Sequence, residues 1–285
     1  MKNILITGAN GQLGSEMRVL SQENNQYTYF FTDVDTLDIC NEQAVMNYVS
    51  ENKIDAIVNC AAYTAVDNAE DNSDFCHKLN AVAPGYLALA AQSRGALMIQ
   101  ISTDYVFDGT SHTPYTENQE TCPASVYGST KLEGEKNVLK YCDRAVIIRT
   151  AWLYSTFGNN FVKTMIRLGK EKESLGVIFD QIGTPTYGRD LAGAIYAVIN
   201  NGEVNGIYHF SNEGVCSWYD FTIAIHRLAG ISGCKVKPLH TSDYPTKASR
   251  PYYSVLDKTK IKETYHIEIP HWEDSLGGCI KELNK

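Results

Sequence analysis

The sequence contains no apolar run approaching the roughly twenty residues needed to cross a bilayer. Its first residues also lack a basic segment followed by an apolar stretch and a small-residue cleavage site. The expectation is a cytoplasmic protein with no membrane partner. Cys-x-x-Cys pairs are absent: Cys40, Cys60, Cys76, Cys122, Cys142, Cys216, Cys234 and Cys279 are scattered, several in apolar segments such as Val58-Asn59-Cys60-Ala61. This argues against a disulfide framework or a zinc site and fits free thiols in a reducing compartment. The seven histidines are equally dispersed, with no second ligand one turn away on a convincing helix, so no metal is expected from them. Clustered Lys and Arg are missing and the formal net charge is −8, which argues against a nucleic-acid partner. Any phosphate must be handled locally. No internal repeat or low-complexity stretch occurs.

What is present is an ordinary globular composition: 285 residues, 44% hydrophobic and 20% charged, enough for one large or two interleaved domains. Lys2-Asn3-Ile4-Leu5-Ile6-Thr7 reads as a strand, and Gly8-Ala9-Asn10-Gly11-Gln12-Leu13-Gly14 then opens a helix. Glycines at this spacing allow a tight turn, a close approach of backbone to a pyrophosphate, and packing of helix on strand. The helix N-terminus offers free N–H groups and a positive dipole end to the phosphates. The spacing is G-x-x-G-x-x-G rather than G-x-G-x-x-G, and by itself it could be only a turn. A second strand, 27–32, ends at Asp33, where such a fold places its ribose-reading residue. A carboxylate there accepts from the adenosine 2′-hydroxyl and repels a 2′-phosphate. No Arg or Lys lies between Arg18 and Lys53 to offset that repulsion, so the cofactor leans to NADH over NADPH. The plainer alternative is that Asp33 opens the next turn.

Helix patterns at 41–52, opened by Asn41, and 81–94, closed by Gly95, alternate with strand patterns at 55–59, 96–102 and 144–149; a further helix spans 127–140. This alternation predicts right-handed βαβ units: an α/β fold with a doubly wound parallel sheet. Ligands then sit at the carboxyl ends of the strands, which are Thr7-Gly8, Asp33, Cys60-Ala61-Ala62-Tyr63, Ser102-Thr103-Asp104 and Arg149-Thr150-Ala151-Trp152. Tyr127 and Lys131 lie four apart on the 127–140 helix and share one face. A fixed cation stabilises a phenolate, so the two form a proton-handling pair, although the spacing alone also suits a solvated face. A strand-end hydroxyl such as Thr103, facing that pair, can fix a substrate carbonyl beneath a nicotinamide; otherwise it caps a turn. Beyond residue 150 the rhythm becomes irregular. It reads as a helix running to about 172, a Gly/Pro loop at 180–186, a helix at 189–200, a strand at 206–210, a helix at 217–229 and a loop at 245–251. These later segments are expected to form a smaller lobe over the crevice.

In this order and spacing, Thr7-Gly8-x-x-Gly11-x-x-Gly14, Ser102-Thr103 and the Tyr127/Lys131 pair resemble the extended short-chain dehydrogenase/reductase superfamily. Within it the chain is similar, nearly end to end, to the dTDP-4-dehydrorhamnose reductase family. The similarity runs through Asn59-Cys60-Ala61-Ala62-Tyr63-Thr64-Ala65-Val66-Asp67, Ser102-Thr103-Asp104-Tyr105-Val106-Phe107, Val126-Tyr127-Gly128-Ser129-Thr130-Lys131-Leu132-Glu133-Gly134-Glu135, Arg149-Thr150-Ala151-Trp152-Leu153-Tyr154, Gly158-Asn159-Asn160-Phe161, Asp180-Gln181-Ile182-Gly183-Thr184-Pro185-Thr186 and Ala248-Ser249-Arg250-Pro251.

The resemblance implies a dinucleotide-binding Rossmann domain over 1–151 and 187–213 and a substrate-binding lobe over 152–186 and 214–285. It implies NAD(P)H-dependent reduction of a nucleotide sugar, dTDP-4-dehydro-L-rhamnose, at C4. Tyr127 would donate the proton, Lys131 would lower its pKa and hold the nicotinamide ribose, and Thr103 would orient the carbonyl. Gly8, Asn10, Gly11, Gln12, Leu13 and Gly14 would cradle the pyrophosphate, Asp33 the adenosine ribose, Asp38 and Ile39 the adenine, and Ala61, Ala62, Tyr63 and Thr64 the centre of the cofactor. Thr103, Asp104 and Trp152 would contact the sugar, and Arg250 with nearby Lys247 the diphosphate. Some family members hold magnesium at a dimer interface through glutamates; Glu16 matches, but Arg189 stands where a second acid is wanted. No metal is therefore assigned, and a monomer or a homodimer is expected. Other readings stay open. A 4,6-dehydratase would want Asp-Glu after the threonine, where this chain has Asp104-Tyr105. A 4-epimerase, a reductase of another 4-keto sugar, or a non-catalytic dinucleotide-binding subunit like methionine adenosyltransferase β are the remaining alternatives.

Overall fold

The structure is a computed structural model that describes residues 2–202 and 204–285. Strand β1 (Asn3–Thr7) leads through the glycine turn into helix α1 (Gln12–Ser21), and β2 (Thr28–Phe31) follows. Helix α2 (Glu42–Glu51) is opened by Asn41, whose side chain accepts from the Ala44 amide. Strand β3 (Ala56–Asn59) precedes two short helices, α3 (Val66–Asp71) and α4 (Ser73–His77). One π-helical turn, Lys78–Val82, then enters α5 (Ala83–Arg94), which ends at Gly95 in the left-handed conformation expected of a helix stop. Strand β4 (Leu97–Thr103), helix α6 (Val126–Tyr141) and β5 (Ala145–Thr150) complete this half.

Six strands form one sheet in the order β10-β5-β4-β3-β1-β2, every pairing parallel, with β10 (Gly206–His209) contributed from later in the chain. Alternation along the strands divides the core into two layers. Ile4, Ile6, Val58, Ile99, Val146 and Ile148 pack on one face, while Leu5, Ile57, Met98 and Ala145 pack on the other. Apolar side chains on both faces account for the near-continuous hydrophobic runs of the central strands. The chain leaves β1 towards β2 on one side and returns to β3 on the other. The order reverses there, and the carboxyl ends of β1 and β3 open a crevice at the reversal.

The later half contains β6 (Leu153–Tyr154), α7 (Phe161–Glu171), β7 (Ser174–Ile178), β8 (Ile182–Gly183), β9 (Thr186–Tyr187) and α8 (Gly188–Asn201). After β10 come β11 (Cys216–Ser217), α9 (Trp218–Leu228), β12 (Lys235–Leu239), α10 (Thr259–Tyr265) and α11 (Trp272–Leu283). The 180–186 segment is more than a loop, because β8 pairs with β11 and β9 with β6. The β7–β12 pair and helices α10 and α11 are additions to the elements read from sequence. A separate core gathers Val162, Phe221, Ile225, Trp272, Leu276 and Ile280, whereas Ile261 and Tyr265 of α10 pack back onto the sheet. The eight cysteines are free thiols, and no helix among the described residues is long and apolar enough to cross a membrane.

Candidate active site

The crevice begins with two glycines that tolerate no side chain. Gly8 has φ +61°, and a Cβ there would lie 2.6 Å from the Ala61 amide nitrogen; one on Gly14 would lie 2.4 Å from the Gly8 carbonyl oxygen. The exits of β1 and β3 and the start of α1 can therefore pack against one another. Helix α1 has no side-chain cap, and Gly11, Gln12 and Leu13 of its first turn line a cavity of about 470 Å³. Unclaimed amides and a positive helix end facing a cavity suit a phosphate.

Asp33 lies beside this turn but is turned to backbone: it accepts from the Asn10 amide at 3.0 Å and the Val34 amide at 2.9 Å. It thus pins the glycine turn, and neither it nor Asp38 or Ile39 lines the cavity. Asp38 accepts from the Cys40 amide, and the Ile39 side chain joins the sheet core. From β3, Ala61, Ala62 and Thr64 line the cavity, while Tyr63 is fixed behind it by a residue that sequence reasoning missed. Asn80 accepts from the Tyr63 amide at 2.8 Å and donates to its carbonyl at 3.0 Å. In the sequence Asn80 is only a polar residue between Leu79 and Ala81, and its burial and its bonds to Tyr63 appear only in the fold.

Thr103, Asp104, Tyr127 and Lys131 line the same cavity, all at most 9% exposed. Ser125 caps α6 by accepting from the Gly128 amide, which starts the helix where Tyr127 and Lys131 both face the crevice. The Thr103 hydroxyl donates to Asp104 Oδ1 at 2.9 Å. Asp104 Oδ2 has no partner among the described residues, and burial, opposed by the Thr103 hydroxyl, pushes the carboxyl up to about 6. Burial also raises the Tyr127 phenol, with the Thr103 hydroxyl partly offsetting it. The Lys131 Nζ donates to the Ile101 carbonyl at 2.6 Å, and burial, opposed by Glu135, holds the ammonium down at about 8. A phenol raised by burial holds its proton at neutral pH.

The far wall is aromatic. Trp152 adopts φ +48° and stacks on Trp218 with ring centroids 3.5 Å apart. Gly183 makes room for it, since a Cβ there would lie 2.6 Å from the Trp152 ring. Trp218 also escaped the sequence reading; at the first turn of α9 it gave no local signal. With Tyr105 it lines a second cavity of about 670 Å³ bounded by Phe161, Met165, Gln181 and Arg250. Arg250 donates to Asp67 at 2.6 Å and to the Tyr105 hydroxyl at 3.3 Å. Lys247 lines neither cavity and pairs with Asp71 at the surface.

Around Glu16, the position weighed for magnesium, the side chains form an ion pair. Glu16 is fully buried and accepts from Ser155 at 2.7 Å and from Arg189 at 3.1 Å. A guanidinium occupies the position where a second carboxylate would be needed, and the described residues hold no group of three or more His, Cys, Asp or Glu suited to a metal. The residues do not fit a divalent cation.

A parallel sheet with an uncapped helix over a glycine turn, and with Thr103, Tyr127 and Lys131 around the adjoining cavity, defines an extended short-chain dehydrogenase/reductase. More narrowly, the chain belongs to the RmlD substrate binding domain family, whose model matches residues 1–285. It is 41% identical to a dTDP-4-dehydrorhamnose reductase from Aggregatibacter actinomycetemcomitans, covering 97% of each chain. The crystal structure of a dTDP-4-dehydrorhamnose reductase from Clostridium acetobutylicum is similar with TM-score 0.95 and 47% identity, over 99% of this chain and 100% of that one. The Bacillus anthracis dTDP-4-dehydrorhamnose reductase in complex with NADP gives TM-score 0.94 and 40% identity over the same shares.

Proposed function

We propose that the chain is an NAD(P)H-dependent oxidoreductase of dTDP-rhamnose biosynthesis that reduces the C4 carbonyl of dTDP-4-dehydro-L-rhamnose to dTDP-L-rhamnose. The observation that carries this reading is the joint burial of Thr103, Tyr127 and Lys131 around the cavity that the α1 N-terminus also faces. NAD(P)H, when bound, supplies the hydride. Asn10, Gly11, Gln12 and Leu13 hold its pyrophosphate, with Gly8 and Gly14 shaping the turn. Asp33 would lie at the adenosine ribose, Asp38 and the Ile39 main chain at the adenine, and Ala61, Ala62, the Tyr63 main chain and Thr64 at the centre of the cofactor.

Thr103 orients the substrate carbonyl and Tyr127 protonates its oxygen. The Lys131 ammonium steadies the resulting phenolate and holds the nicotinamide ribose. Most of the acceleration comes from positioning, because the carbonyl is already electrophilic. Asp104 and Trp152 contact the sugar. Arg250 serves the diphosphate, and the larger cavity beyond Trp218 takes the nucleoside. Lys247, paired outside both cavities, is left out of the site.

Asp33 keeps a lean towards NADH by charge, while its engagement with the Asn10 amide leaves NADPH usable, in line with the NADP-bound relative. The Glu16–Arg189 pair supports a protein without magnesium, either monomeric or dimeric with no shared ion. The two-lobe division and a cytoplasmic location belong to the same reading. Purified protein given dTDP-4-dehydro-L-rhamnose with NADH or NADPH is expected to oxidise the cofactor and form dTDP-L-rhamnose. A folded sample with no turnover would overturn the assignment.

A further inference from the structure

Behind the crevice lies a buried ion pair that the proposed chemistry does not use. Arg149, at the end of β5, donates from Nε and Nη2 to the two carboxylate oxygens of Glu135 at 2.9 and 2.7 Å, and both side chains are 2% exposed. Ser102, one residue before Thr103, donates to the same carboxylate at 2.5 Å. Such a pair gives little net stability over apolar side chains of the same size, because desolvating two charges offsets their attraction. Stability alone does not account for it.

Its orientation does. Glu135 stands one turn after Lys131 on α6, on the same helix face, and its charge is felt by the ammonium as the largest influence opposing burial. Arg149 points away from the site: its guanidinium sits over the Phe107 ring at 5.1 Å, and its charge helps hold His209 neutral. The pair is a buried dipole with its negative end towards Lys131.

We infer that Glu135, locked by Arg149 and Ser102, is a positioning residue that keeps Lys131 in its ammonium form inside the closed site. This rests on the proposed role of Lys131 in the reduction. The other groups facing Lys131 offer no substitute. Tyr127 on the same helix is a neutral phenol, and the Cys60 thiol after β3 is pushed up to about 12 by burial. Cys76 of α4 is bonded to the Thr130 hydroxyl, and Asp104 after β4 accepts from Thr103 and is not among the groups whose charge acts on the ammonium. Only Glu135 among them places a fixed anion one turn along the helix.

The test is the pH profile of kcat at saturating cofactor. Wild type should lose activity on the alkaline side around pH 8, where Lys131 deprotonates. Glu135→Gln removes the anion and favours the neutral amine, so the midpoint should move to lower pH by about one unit, the scale on which a neighbouring charge shifts a buried group. Glu135→Asp restores the charge and should bring the midpoint most of the way back. Should Glu135→Gln fail to fold with Arg149 left unpaired, the double variant Glu135→Gln with Arg149→Met buries no lone charge and should show the same shift. An unmoved midpoint in a folded, active variant overturns the inference, as does an equal shift in Glu135→Asp. Absence of turnover in wild type would instead overturn the proposed function.

Discussion

On the β1 and β3 side of the crevice the chain presents backbone, whereas on the β4, α6 and later-loop side it presents side chains. The first wall is mostly main chain and small side chains, with Gly11, the uncapped α1 amides, Ala61 and Ala62 beside Cys60 and Thr64, and with the Asp33 and Asn80 side chains bracing the main chain from behind. The second consists of a threonine, a phenol, an ammonium, two stacked indoles and a guanidinium drawn from segments more than a hundred residues apart. A backbone wall suits a ligand common to many proteins, because amides recognise phosphate without reference to the rest of the molecule. A side-chain wall suits the partner that distinguishes one enzyme from another.

This contrast can be broken by substitutions on either side. Tyr127→Phe should lower turnover at least about a hundredfold, the scale of a lost general acid, while cofactor affinity stays in place; near-normal turnover would remove the phenol from the chemistry. Gly8→Ala puts a Cβ 2.6 Å from the Ala61 amide nitrogen at φ +61°. It should cost about 1–3 kcal/mol in a denaturant melt and weaken cofactor binding, whereas an unchanged melt would mean that the two strand exits can separate freely. Trp218→Ala removes the ring stacked on Trp152 and should raise KM for the nucleotide sugar roughly threefold to tenfold with cofactor affinity unchanged. A change confined to cofactor affinity would erase the distinction between the walls. The smallest effect is expected from Asp33→Ala, which should shift preference modestly from NADH towards NADPH, measured as the ratio of kcat/KM values. An unchanged ratio would make the carboxylate purely a brace for Asn10.

The sheet was largely legible because each strand and helix announces itself locally. Asn41 and Gly95 act at the two ends of helices as their chemistry requires, and the Tyr127/Lys131 spacing needs only one helical turn. Asp33 follows β2 as the strand pattern indicated, but its bond to the Asn10 amide was not readable, because it depends on the distance between two loops. The 180–186 segment was read as a loop since two-residue strands carry no periodicity; β8 and β9 exist only because β11 and β6 lie alongside. Asn80 and Trp218 were missed for the same reason, and Lys247 was grouped with Arg250 by sequence proximity although the loop turns it outward to Asp71.

By itself the sequence determined the strand and helix rhythm, the glycine turn before α1 and the one-turn spacing of Tyr127 and Lys131, all of which rest on interactions within one turn or one strand. Only the tertiary structure decided that burial raises Tyr127, that Lys131 reaches the Ile101 carbonyl, that Arg189 donates to the buried Glu16, and that the Glu135–Arg149 dipole lies behind the site. These are matters of desolvation and of charges meeting across the fold, and both depend on distances that a linear order of residues does not contain.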